Sequence, residues 1–457
     1  MENNKIIISQ SPYSEKVIKD YEPYNQNKTI KLINSAQESF IKWKSITIQA
    51  RIDVIEKIKY NLISKKMDSA YKITEEMGKP ITESIAEIEK CVWLCDYYIE
   101  NGEKFLENEI IKTTASKSYV SFEPLGVILG IMPWNFPFWQ VFRFVIPAVL
   151  SGNTTMVKHA SNVSGCCLMI EEIFCENIDY KIFFSLLLPA SKIKHVIKDP
   201  IIKAISLTGS EKAGSSVGSI AGAEIKKILL ELGGADAFIV CKDANLIEAS
   251  KKAVVARLLN AGQSCIAAKR FIVHKDVKEQ FINNITDILN TMKLDDPSNI
   301  ETQIGPLARK DILNDIENQT NDAINKGATL RYQMKNIPKN GYFFAPSIIE
   351  NINSSMDIYY NETFGPLFTI FTYSNDKEAI SIANDTKYGL GGSIWSQNIK
   401  NAEKMAHQIY TGAVFINEMT KSDPRLPFGG VGMSGFGREL GSYGIKEFVN
   451  IKTIYIN

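Results

Sequence analysis

The sequence predicts an α/β protein with two open α/β domains, on three observations. Strand-like and helical runs alternate from about residue 118 to 260 and again from about 271 to 417, as they do where helices cover an open sheet. A chain of 457 residues is too long for a single hydrophobic core. Apolar residues make up 45% of the chain and charged residues 23%, which are ordinary globular values. Such a chain is large enough to enclose a cleft.

The charge balance and the apolar runs argue against several classes of protein. With 52 basic and 51 acidic side chains the formal net charge is only +1, so neither nucleic acid nor an anionic membrane is favoured as a partner. The N-terminal stretch MENNKIIISQSPYSEK has no signal-peptide core, and no apolar run reaches the roughly 18 residues that a membrane span needs. We therefore expect a soluble, cytoplasmic protein.

Cysteine and histidine usage bears on redox state and metals. The seven cysteines include no CxxC pair, which favours reduced thiols over a disulfide framework. The four histidines form no HxxxH or HExxH pattern. We therefore expect no catalytic metal.

The first elements are helical. Between residues 28 and 108 apolar residues recur at every third or fourth position, as at Ile52, Ile55 and Ile58. The sequence GKP at 78–80 interrupts this pattern. This region is predicted to be a helical scaffold.

Strands and helices then alternate. Residues 118–122 alternate like a strand, and residues 126–132 form a short apolar run bounded by glycines and a proline, which is typical of a buried parallel strand. Further strands are predicted at 155–158, 205–207, 227–230, 238–241, 271–274, 367–372 and 414–416. Further helices are predicted near 163–177, 211–221, 245–260, 276–292, 308–326, 376–384 and 400–409.

A loop of small residues, NAGQSCIAAKR at 260–270, carries Cys265. The helical pattern before it ends at Gly262, so the thiol is expected just beyond a helix, in a loop that a ligand can reach. Cysteine is also among the residue types most often buried. A buried and inert thiol is therefore the alternative that this loop alone leaves open.

Two further side chains complete a candidate catalytic set. Glu231, in LLELGGAD, follows an apolar strand and precedes two glycines. Open α/β sheets hold ligands at this place, and a cleft of low polarity would raise the pKa of Glu231 toward that of a general base. Asn135, in MPWNFPFW, lies between two prolines that fix its backbone, so its amide is a rigid donor for a developing oxyanion. Taken alone, Glu231 has the alternative of a solvated loop carboxylate.

Six motifs in this order resemble the signatures of the aldehyde dehydrogenase superfamily, and they span nearly the whole chain. They are PWNFP at 133–137, TGS at 208–210, ELGG at 231–234, GQSC at 262–265, ETFGP at 362–366 and PFGG…SGFGRE at 427–439. Within the superfamily, FPFWQVFRF, KHASNV and SDPRLPFGG are most similar to the short bacterial succinate-semialdehyde dehydrogenases. The resemblance implies the oxidation of an aldehyde to an acid, most specifically of succinate semialdehyde to succinate.

The resemblance also implies a division of the chain into four parts. These are a Rossmann-like cofactor domain, a catalytic domain, a small β element for oligomerisation and a segment that returns to line the active site. Their respective residues are 1–112 with 123–232, 233–417, 113–122 with 440–457, and 418–439. A homodimer or homotetramer is therefore expected.

The resemblance implies a role for each member of the catalytic set. Cys265 attacks the aldehyde carbon as a thiolate, while the Asn135 amide and the Cys265 backbone N–H stabilise the oxyanion. A hydride then leaves for the nicotinamide. Glu231 finally deprotonates the water that hydrolyses the thioester.

The chain has no GxGxxG motif, and the resemblance implies a different cofactor site. The turn of Thr208, Gly209 and Ser210 opens a helix whose free N–H groups hold the pyrophosphate, and Lys158 matches the lysine for the adenosine ribose. The other matched cofactor positions are Trp134, Leu232, Gly233, Glu362 and Phe364. Many NAD-preferring members carry Glu three residues after that lysine, where this chain has Ser161, which does not repel a 2′-phosphate. We therefore predict NADP as the preferred cofactor, with NAD as the alternative.

Arg143 is the main candidate for binding a charged group of the substrate. It lies in FWQVFRFVI, which is apolar almost throughout, so its charge is costly unless an anion meets it. A substrate carboxylate would serve, because a guanidinium binds it through two parallel hydrogen bonds. The alternative is a protein carboxylate or access to solvent. Trp139 and Ser422 resemble other walls of the succinate-semialdehyde pocket. The weaker candidates for binding a carboxylate are Arg257 and Arg425.

Three other functions stay open on the sequence alone. The same chemistry would serve another small aldehyde, such as glutarate semialdehyde or an uncharged aliphatic one. A cysteine hydrolase or acyltransferase would need a histidine beside Cys265, and the closest in sequence, His274, lies at the far end of an apolar strand. A catalytically silent protein on this fold is disfavoured by the joint presence of Cys265, Glu231 and Asn135.

Overall fold

The computed structural model describes residues 6–457, so the first five residues of the N-terminal stretch lie outside it. Its strands are β1 Ile7–Gln10, β2 Val17–Tyr21, β3 Glu109–Ile110, β4 Lys117–Pro124, β5 Val127–Met132, β6 Thr154–His159, β7 Phe183–Ser185, β8 Ile202–Thr208, β9 Lys227–Glu231, β10 Ala237–Val240, β11 Arg270–His274, β12 Thr329–Gln333, β13 Ser347–Glu350, β14 Leu367–Tyr373, β15 Gly392–Trp395, β16 Phe415–Ile416, β17 Gly435–Phe436 and β18 Val449–Ile456.

The helices within this range are α1 Gln26–Trp43, α2 Ile48–Ser64, α3 Lys66–Met77, α4 Ile81–Phe105, α5 Trp139–Leu150, α6 Ser164–Cys175, α7 Ile193–Lys198, α8 Glu211–Ala223, α9 Leu246–Leu258, α10 Lys278–Leu289, α11 Lys310–Asn325, α12 Asp357–Tyr360, α13 Asp376–Asn384, α14 Ile399–Ala406 and α15 Gly441–Lys446. None of these helices is long and apolar enough to cross a bilayer. Over the same residues, no group of three or more His, Cys, Asp or Glu side chains is placed to hold a metal ion.

The N-terminal helices begin and end at residues suited to those positions. The side chain of Asn25 caps α1 by accepting the N–H of Lys28, and Thr47 caps α2 by accepting the N–H of Ala50. Such caps satisfy N–H groups that have no partner inside the helix. Gly78 ends α3 in the left-handed conformation, with φ at 78°. The next helix, α4, packs against α2, α3 and α5, and so reaches the centre of the molecule.

A six-stranded sheet follows, in the order β17-β9-β8-β5-β6-β7, and all its neighbours are parallel except β17. Alternate residues of β5 face opposite sides: Ile128 packs with α5 and α6, whereas Val127 and Leu129 pack with α1, α7 and α8. Parallel strands bring their carboxyl ends to one edge, where open α/β sheets bind ligands. Thr208 ends β8 and Glu231 ends β9 at this edge.

A seven-stranded sheet has the order β12-β13-β14-β11-β10-β15-β16, and only β12 is antiparallel. One face is covered by α9, α10 and α11, and the other by α13 and α14. A three-stranded antiparallel sheet, β18-β4-β3, and the antiparallel pair β1-β2 complete the strands of the described chain. In β18, Ile451 and Tyr455 are more than half exposed, at 62% and 51%.

The predicted α/β class with two open sheets is confirmed. Eight strands were not predicted: β1, β2, β3, β7, β12, β13, β15 and β17. Each has two to five residues, which is too few for a period of two to stand out. The helix predicted at 245–260 ends earlier, at Leu258, because the next residues leave the helical conformation.

Candidate active site

The chain turns sharply just before Cys265. Three consecutive residues have left-handed backbone conformations, with φ at 56° for Asn260, 52° for Ala261 and 78° for Gly262. This conformation costs free energy for residues that carry a Cβ, so surrounding contacts must hold it. A Cβ on Gly262 would lie 2.4 Å from the carbonyl oxygen of Gly365, so only glycine fits there. We call residues 260–265 the cysteine loop.

Hydrogen bonds from other elements hold the cysteine loop. Glu83 of α4 accepts the backbone N–H of Asn260 at 2.8 Å, and the Asn260 amide donates to the backbone carbonyl of Asn135 at 2.7 Å. The Asn135 side-chain amide donates to the carbonyl of Gln263 at 3.0 Å, and the Gln263 side chain accepts the N–H of Ala308 at 2.8 Å. Asn135 and the cysteine loop are therefore fixed relative to each other.

Two cavities meet at Cys265. The first, the Thr208 cavity, has a volume of about 200 Å³ and is lined by Pro133, Trp134, Asn135, Gln140, Thr208, Gly209, Ser210, Leu232, Gly233, Cys265, Glu362 and Phe364. The second, the Trp139 cavity, has a volume of about 220 Å³, and its lining includes Glu83, Glu87, Lys90, Phe136, Trp139, Arg143, Cys265, Met419, Lys421, Ser422 and Phe428. A cavity of this size suits a small molecule, since drug-sized ligands need roughly 300–1,000 Å³.

Most of the predicted cofactor positions come together in the Thr208 cavity. They are Trp134, Thr208, Gly209, Ser210, Leu232, Gly233, Glu362 and Phe364. The ring of Phe364 packs edge-on against that of Trp134, with the ring centroids 5.8 Å apart. Lys158 and Ser161 do not line this cavity. They lie on the neighbouring strand β6 and in the 3-10 turn Ser161–Val163 that follows it.

The turn of residues 208–210 connects β8 to α8. Ser210 caps α8 by accepting the N–H of Ala213 at 3.3 Å, and the N–H of Gly209 donates to the carbonyl of Glu231 at 2.9 Å. The hydroxyl of Thr208 is buried and has no hydrogen-bond partner in the part of the chain that the structure describes. A helix N-terminus with a free hydroxyl beside it is suited to an anionic group.

The ammonium of Lys158 also lacks a partner among the described residues. Its side chain is buried on β6, and within residues 6–457 its ammonium makes no hydrogen bond or ion pair. Burial lowers the pKa of this ammonium. An anion bound near it would restore favourable interactions.

The environment of Cys265 raises the pKa of its thiol. Burial raises this pKa to about 12, while the positive charges of Arg143 and Lys269 act to lower it. The ammonium of Lys269 donates to the carbonyls of Ser264 at 2.9 Å and Cys265 at 2.6 Å, and it pairs with Glu362 at 2.9 Å. Our sequence reasoning missed Lys269, although it lies four residues after Cys265. A lysine at that spacing has no pattern that separates it from a solvated side chain.

Glu231 is buried, but it lines neither of the two cavities. Its carboxylate oxygens make no hydrogen bond within the described residues, and Oε1 lies 2.8 Å from where a Cβ on Gly429 would stand. Burial and the nearby carboxylate of Glu439 raise the pKa of Glu231 well above its usual value, and Arg143 opposes this rise. The predicted base therefore lies beside the cavities, in a site of low polarity.

Arg143 has an ion-pair partner within the protein. It is buried and forms an ion pair with Glu439, which is the alternative stated for it above. Its guanidinium also lies 4.6 Å from the ring centroid of Phe428. Arg143 borders the Trp139 cavity, and its Nη2 is buried without a hydrogen-bond partner among the described residues. Glu439 therefore meets only part of its hydrogen-bonding capacity, and its role toward a substrate anion stays a prediction.

Trp139 and Ser422 both border the Trp139 cavity, where the indole N–H donates to the Ser422 hydroxyl at 3.0 Å. The two weaker candidates do not border it. Arg257 is fully buried and donates to the backbone carbonyls of Ala268 at 3.1 Å and Thr363 at 3.0 Å. Arg425 pairs with Asp423 at 2.7 Å, and its side chain is mostly exposed.

Lys90 is a cavity residue that our sequence reasoning missed. Its ammonium donates to the hydroxyl of Ser422 at 3.0 Å and lies 4.2 Å from the centroid of the Trp139 ring. In the sequence it is one lysine among the polar positions of an amphipathic helix, where a solvated side chain is the ordinary expectation. Only the packing of α4 against α5 and the segment around Ser422 brings it into the cavity.

Comparisons with known proteins agree with this geometry. The profile of the aldehyde dehydrogenase family matches residues 1–454. A probable succinate-semialdehyde dehydrogenase (NADP+) of Synechocystis is 44% identical over 451 residues, which are 98% of this chain and 99% of the relative. A succinate-semialdehyde dehydrogenase (NADP+) of Mycobacterium avium is 40% identical over 455 residues, covering 98% of this chain and 96% of the relative.

A solved structure gives the same picture. The crystal structure of succinic semialdehyde dehydrogenase from Streptococcus pyogenes in complex with NADP+ superposes with a TM-score of 0.96 at 35% identity, covering 98% of this chain and 99% of that one. The family profile and these relatives span almost the full length, and the motifs that carry the resemblance converge on Cys265. The chain belongs to the aldehyde dehydrogenase family.

Proposed function

We propose that this protein oxidises succinate semialdehyde to succinate with NADP+ as the oxidant, through a thioester on Cys265. The observation that carries the proposal is the position of Cys265 where the Thr208 and Trp139 cavities meet, beside the rigid amide of Asn135. The activities named for relatives at 44% and 40% identity support the choice of substrate and cofactor.

The first half of the reaction forms the thioester. The Cys265 thiol first releases its proton to solvent, and the resulting thiolate forms a bond to the aldehyde carbon while the carbonyl electrons move onto the oxygen. One N–H of the Asn135 amide is bound to Gln263, so the second N–H is available to this oxyanion together with the backbone N–H of Cys265. When bound, NADP+ supplies the nicotinamide ring that accepts the hydride. The carbonyl then re-forms as a thioester.

The second half hydrolyses the thioester. Glu231 takes a proton from water, the water oxygen bonds to the acyl carbon, and the C–S bond breaks so that its electron pair returns to sulfur. Aldehyde, NADP+ and water thus give acid, NADPH and a proton. Glu231 must rotate toward Cys265 about its side-chain torsions, and within the described chain its carboxylate has no hydrogen bonds to break. Because the pKa of Glu231 is raised, its ionised fraction and the hydrolysis rate both rise with pH.

The residues around the Thr208 cavity fit a pyridine dinucleotide. The unpartnered threonine hydroxyl and the N-terminus of α8 suit a pyrophosphate at the 208–210 turn. The unpaired ammonium of Lys158 and the hydroxyl of Ser161 suit an adenosine ribose with its 2′-phosphate. Glu362 and Phe364 would bind the nicotinamide ribose and pack against the nicotinamide ring. The remaining walls are Trp134, Leu232 and Gly233.

The site disfavours one of the rival functions and leaves another open. A cysteine hydrolase needs a histidine beside Cys265, and in the described residues no histidine lines either cavity. His159 has both ring nitrogens against backbone groups. The same oxidation of glutarate semialdehyde or an aliphatic aldehyde is the remaining rival.

We also propose the assembly, location and domain division that the resemblance implies. The exposed apolar residues Ile451 and Tyr455 on β18 suit a homodimer or homotetramer formed through β4 and β18. The cytoplasm is the compartment that suits seven free cysteines, all of which the structure leaves unpaired. The domain boundaries are those given for the four parts of the chain above.

A rate matrix of aldehydes against cofactors tests the proposal. Succinate semialdehyde, glutarate semialdehyde and pentanal are each assayed with NADP+ and NAD+ by absorbance of the reduced cofactor. We expect the highest kcat/KM for succinate semialdehyde with NADP+. The Cys265→Ala variant should give only background, whereas Cys175→Ala, at a half-buried cysteine ending α6, should match the wild type. Turnover by Cys265→Ala would refute the nucleophile, and a tenfold preference for NAD+ would refute the cofactor assignment.

A further inference from the structure

We propose that Gln140 binds the water that hydrolyses the thioester, by accepting one of its O–H groups at the side-chain oxygen Oε1. This inference rests on the proposed function and adds a residue to the second half of the reaction. It stands on three observations: the place of Gln140 between the two cavities, its unpaired side-chain oxygen, and its position one turn before Arg143 on α5.

Gln140 lies where the two cavities meet. Among the described residues, only Cys265 and Gln140 line both the Thr208 cavity and the Trp139 cavity. The proposed cofactor contacts line the first cavity, and the proposed substrate walls line the second. A side chain shared by both lies beside the point at which they join, and in the proposed reaction this point holds the acyl carbon bound to Cys265.

The side chain of Gln140 has an unused acceptor. Gln140 is only 2% exposed, and within residues 6–457 its Oε1 has no hydrogen-bond partner. An amide oxygen that is buried without a donor costs free energy, and such groups are rare in folded proteins. A donor on a bound molecule would remove this cost.

Water is the donor that fits this acceptor. The reacting end of an aldehyde or of a thioester carries a carbonyl oxygen, which only accepts hydrogen bonds and so gives nothing to Oε1. The attacking water has two O–H groups, and Glu231 takes a proton from one of them. The second O–H needs an acceptor, and Oε1 of Gln140 supplies one at the junction.

The geometry of α5 places Gln140 on the side of Cys265 that faces Glu231. Arg143 follows three residues after Gln140, so the two side chains lie on one face of the helix. Burial is the main cause of the raised pKa of both Cys265 and Glu231, and the positive charge of Arg143 opposes both rises. This face therefore lies near both groups, and we expect a water between them to be within reach of Gln140.

In the proposed step Gln140 accepts a hydrogen bond and takes no proton. Glu231 removes the other proton as the water oxygen bonds to the acyl carbon, and the C–S bond breaks with its electron pair on sulfur. The hydrogen that faces Gln140 stays on the oxygen and leaves with the acid, which ionises in solvent. Because both O–H groups are held, a lone pair of the water is directed at the acyl carbon.

The test compares Gln140→Met and Gln140→Leu, which remove the acceptor and keep a side chain of similar size, with the wild type. Each protein is mixed with succinate semialdehyde and NADP+, NADPH is followed by stopped flow, and the peptide that carries Cys265 is analysed by mass spectrometry. We expect the first turnover to keep its rate within about threefold, the steady rate to fall about tenfold or more, and a succinyl group to accumulate on Cys265.

Gln37→Met is the matched control. Gln37 lies on α1, its Oε1 is also buried and unpaired in the described chain, and it lines neither cavity. We expect this variant to keep the steady rate of the wild type and to accumulate no adduct. The amplitude of the first turnover counts the folded active sites, so the rates of a variant that folds poorly can be corrected.

The outcomes separate the inference from the proposed function. An unchanged steady rate in both Gln140 variants, with no adduct, overturns the inference and leaves the proposed function intact. A slower first turnover without an adduct also overturns it, because Gln140 would then serve the amide of the nicotinamide rather than the water. If the wild type forms no NADPH with any aldehyde, the proposed function fails and the inference fails with it.

Discussion

The Thr208 and Trp139 cavities share Cys265 but are built in different ways. The Thr208 cavity depends on backbone conformation: the 208–210 turn starts a helix, and a Cβ on Gly233 would lie 2.6 Å from the carboxylate of Glu362. The Trp139 cavity is formed by side chains from α4, α5, the cysteine loop and the segment around Ser422. Backbone requirements leave short motifs in the sequence, whereas converging side chains do not.

This difference explains which charges could be assigned. On the Thr208 side, Glu362 lies in its motif, and its ion pair with Lys269 joins the wall of the Thr208 cavity to the cysteine loop. On the Trp139 side, Arg143 pairs with Glu439, a residue almost 300 positions away, and the ammonium of Lys90 donates to the hydroxyl of Ser422. Which cation serves a ligand depends on its partners, and partners are a property of the fold.

The largest effect is expected where the two cavities meet. Asn135→Ala should lower kcat about 10²- to 10³-fold with every aldehyde, because it removes one oxyanion donor. Asn290→Ala, at an exposed asparagine after α10, is the matched control and should leave kcat unchanged. Steady-state rates and thermal melting check both variants. A kcat within about threefold of the wild type for Asn135→Ala would remove the amide from the mechanism.

A smaller effect is expected on the cofactor side alone. Ser161→Glu places a carboxylate three residues after Lys158, where it would repel a 2′-phosphate. We expect kcat/KM for NADP+ to fall at least about tenfold, equivalent to ~1.4 kcal/mol, and that for NAD+ to fall less. Ser161→Ala separates the added charge from the lost hydroxyl. If Ser161→Glu lowers kcat/KM equally for NADP+ and NAD+, this position does not contact the 2′-phosphate.

The smallest effect is expected from Glu83, which holds the cysteine loop from the side of the Trp139 cavity. Burial raises the pKa of Glu83 from 4.5 to about 7. Between these values the folded protein keeps a proton that the unfolded chain releases, so stability falls as the pH rises through this window. Glu83→Gln keeps an acceptor for Asn260 and removes the titration.

Melting temperatures from pH 5 to 8 test this prediction. Relative to Glu83→Gln, the wild type should lose about 2 °C or more over that range. Glu89→Gln, at an exposed position of the same helix, should keep the wild-type pH dependence. Parallel curves for the wild type and Glu83→Gln would contradict a raised pKa at this site.

Much of the fold and of the Thr208 cavity could be predicted from the sequence. In long buried strands and amphipathic helices, apolar residues recur at a clear spacing. Near Cys265, the backbone conformation allows only glycine at certain positions. Short strands such as β15 and β17 have too few residues for a pattern. The early end of α9 could not be foreseen, because the left-handed turn at Asn260 and Ala261 is held by hydrogen bonds from Asn260 to Glu83 and Asn135, which are distant in the sequence.

The side chains that the sequence did not reveal share one property. Lys90, Lys269 and Glu83 are charged residues in ordinary-looking positions, and each acquires a role only through contacts with distant parts of the chain. Glu231 was found through its motif, but its place beside the cavities rather than in them depends on how Gly429 and Glu439 pack against it.

Trapping the acyl group tests the role of Cys265 most directly. Glu231→Gln protein is mixed with succinate semialdehyde and NADP+, and its peptides are analysed by mass spectrometry as NADPH formation is followed. Because hydrolysis needs the base, we expect a burst of NADPH and a succinyl group that accumulates on the peptide carrying Cys265, with no such accumulation in the wild type. A burst without an adduct, or an adduct on any other cysteine, would contradict thioester catalysis at Cys265.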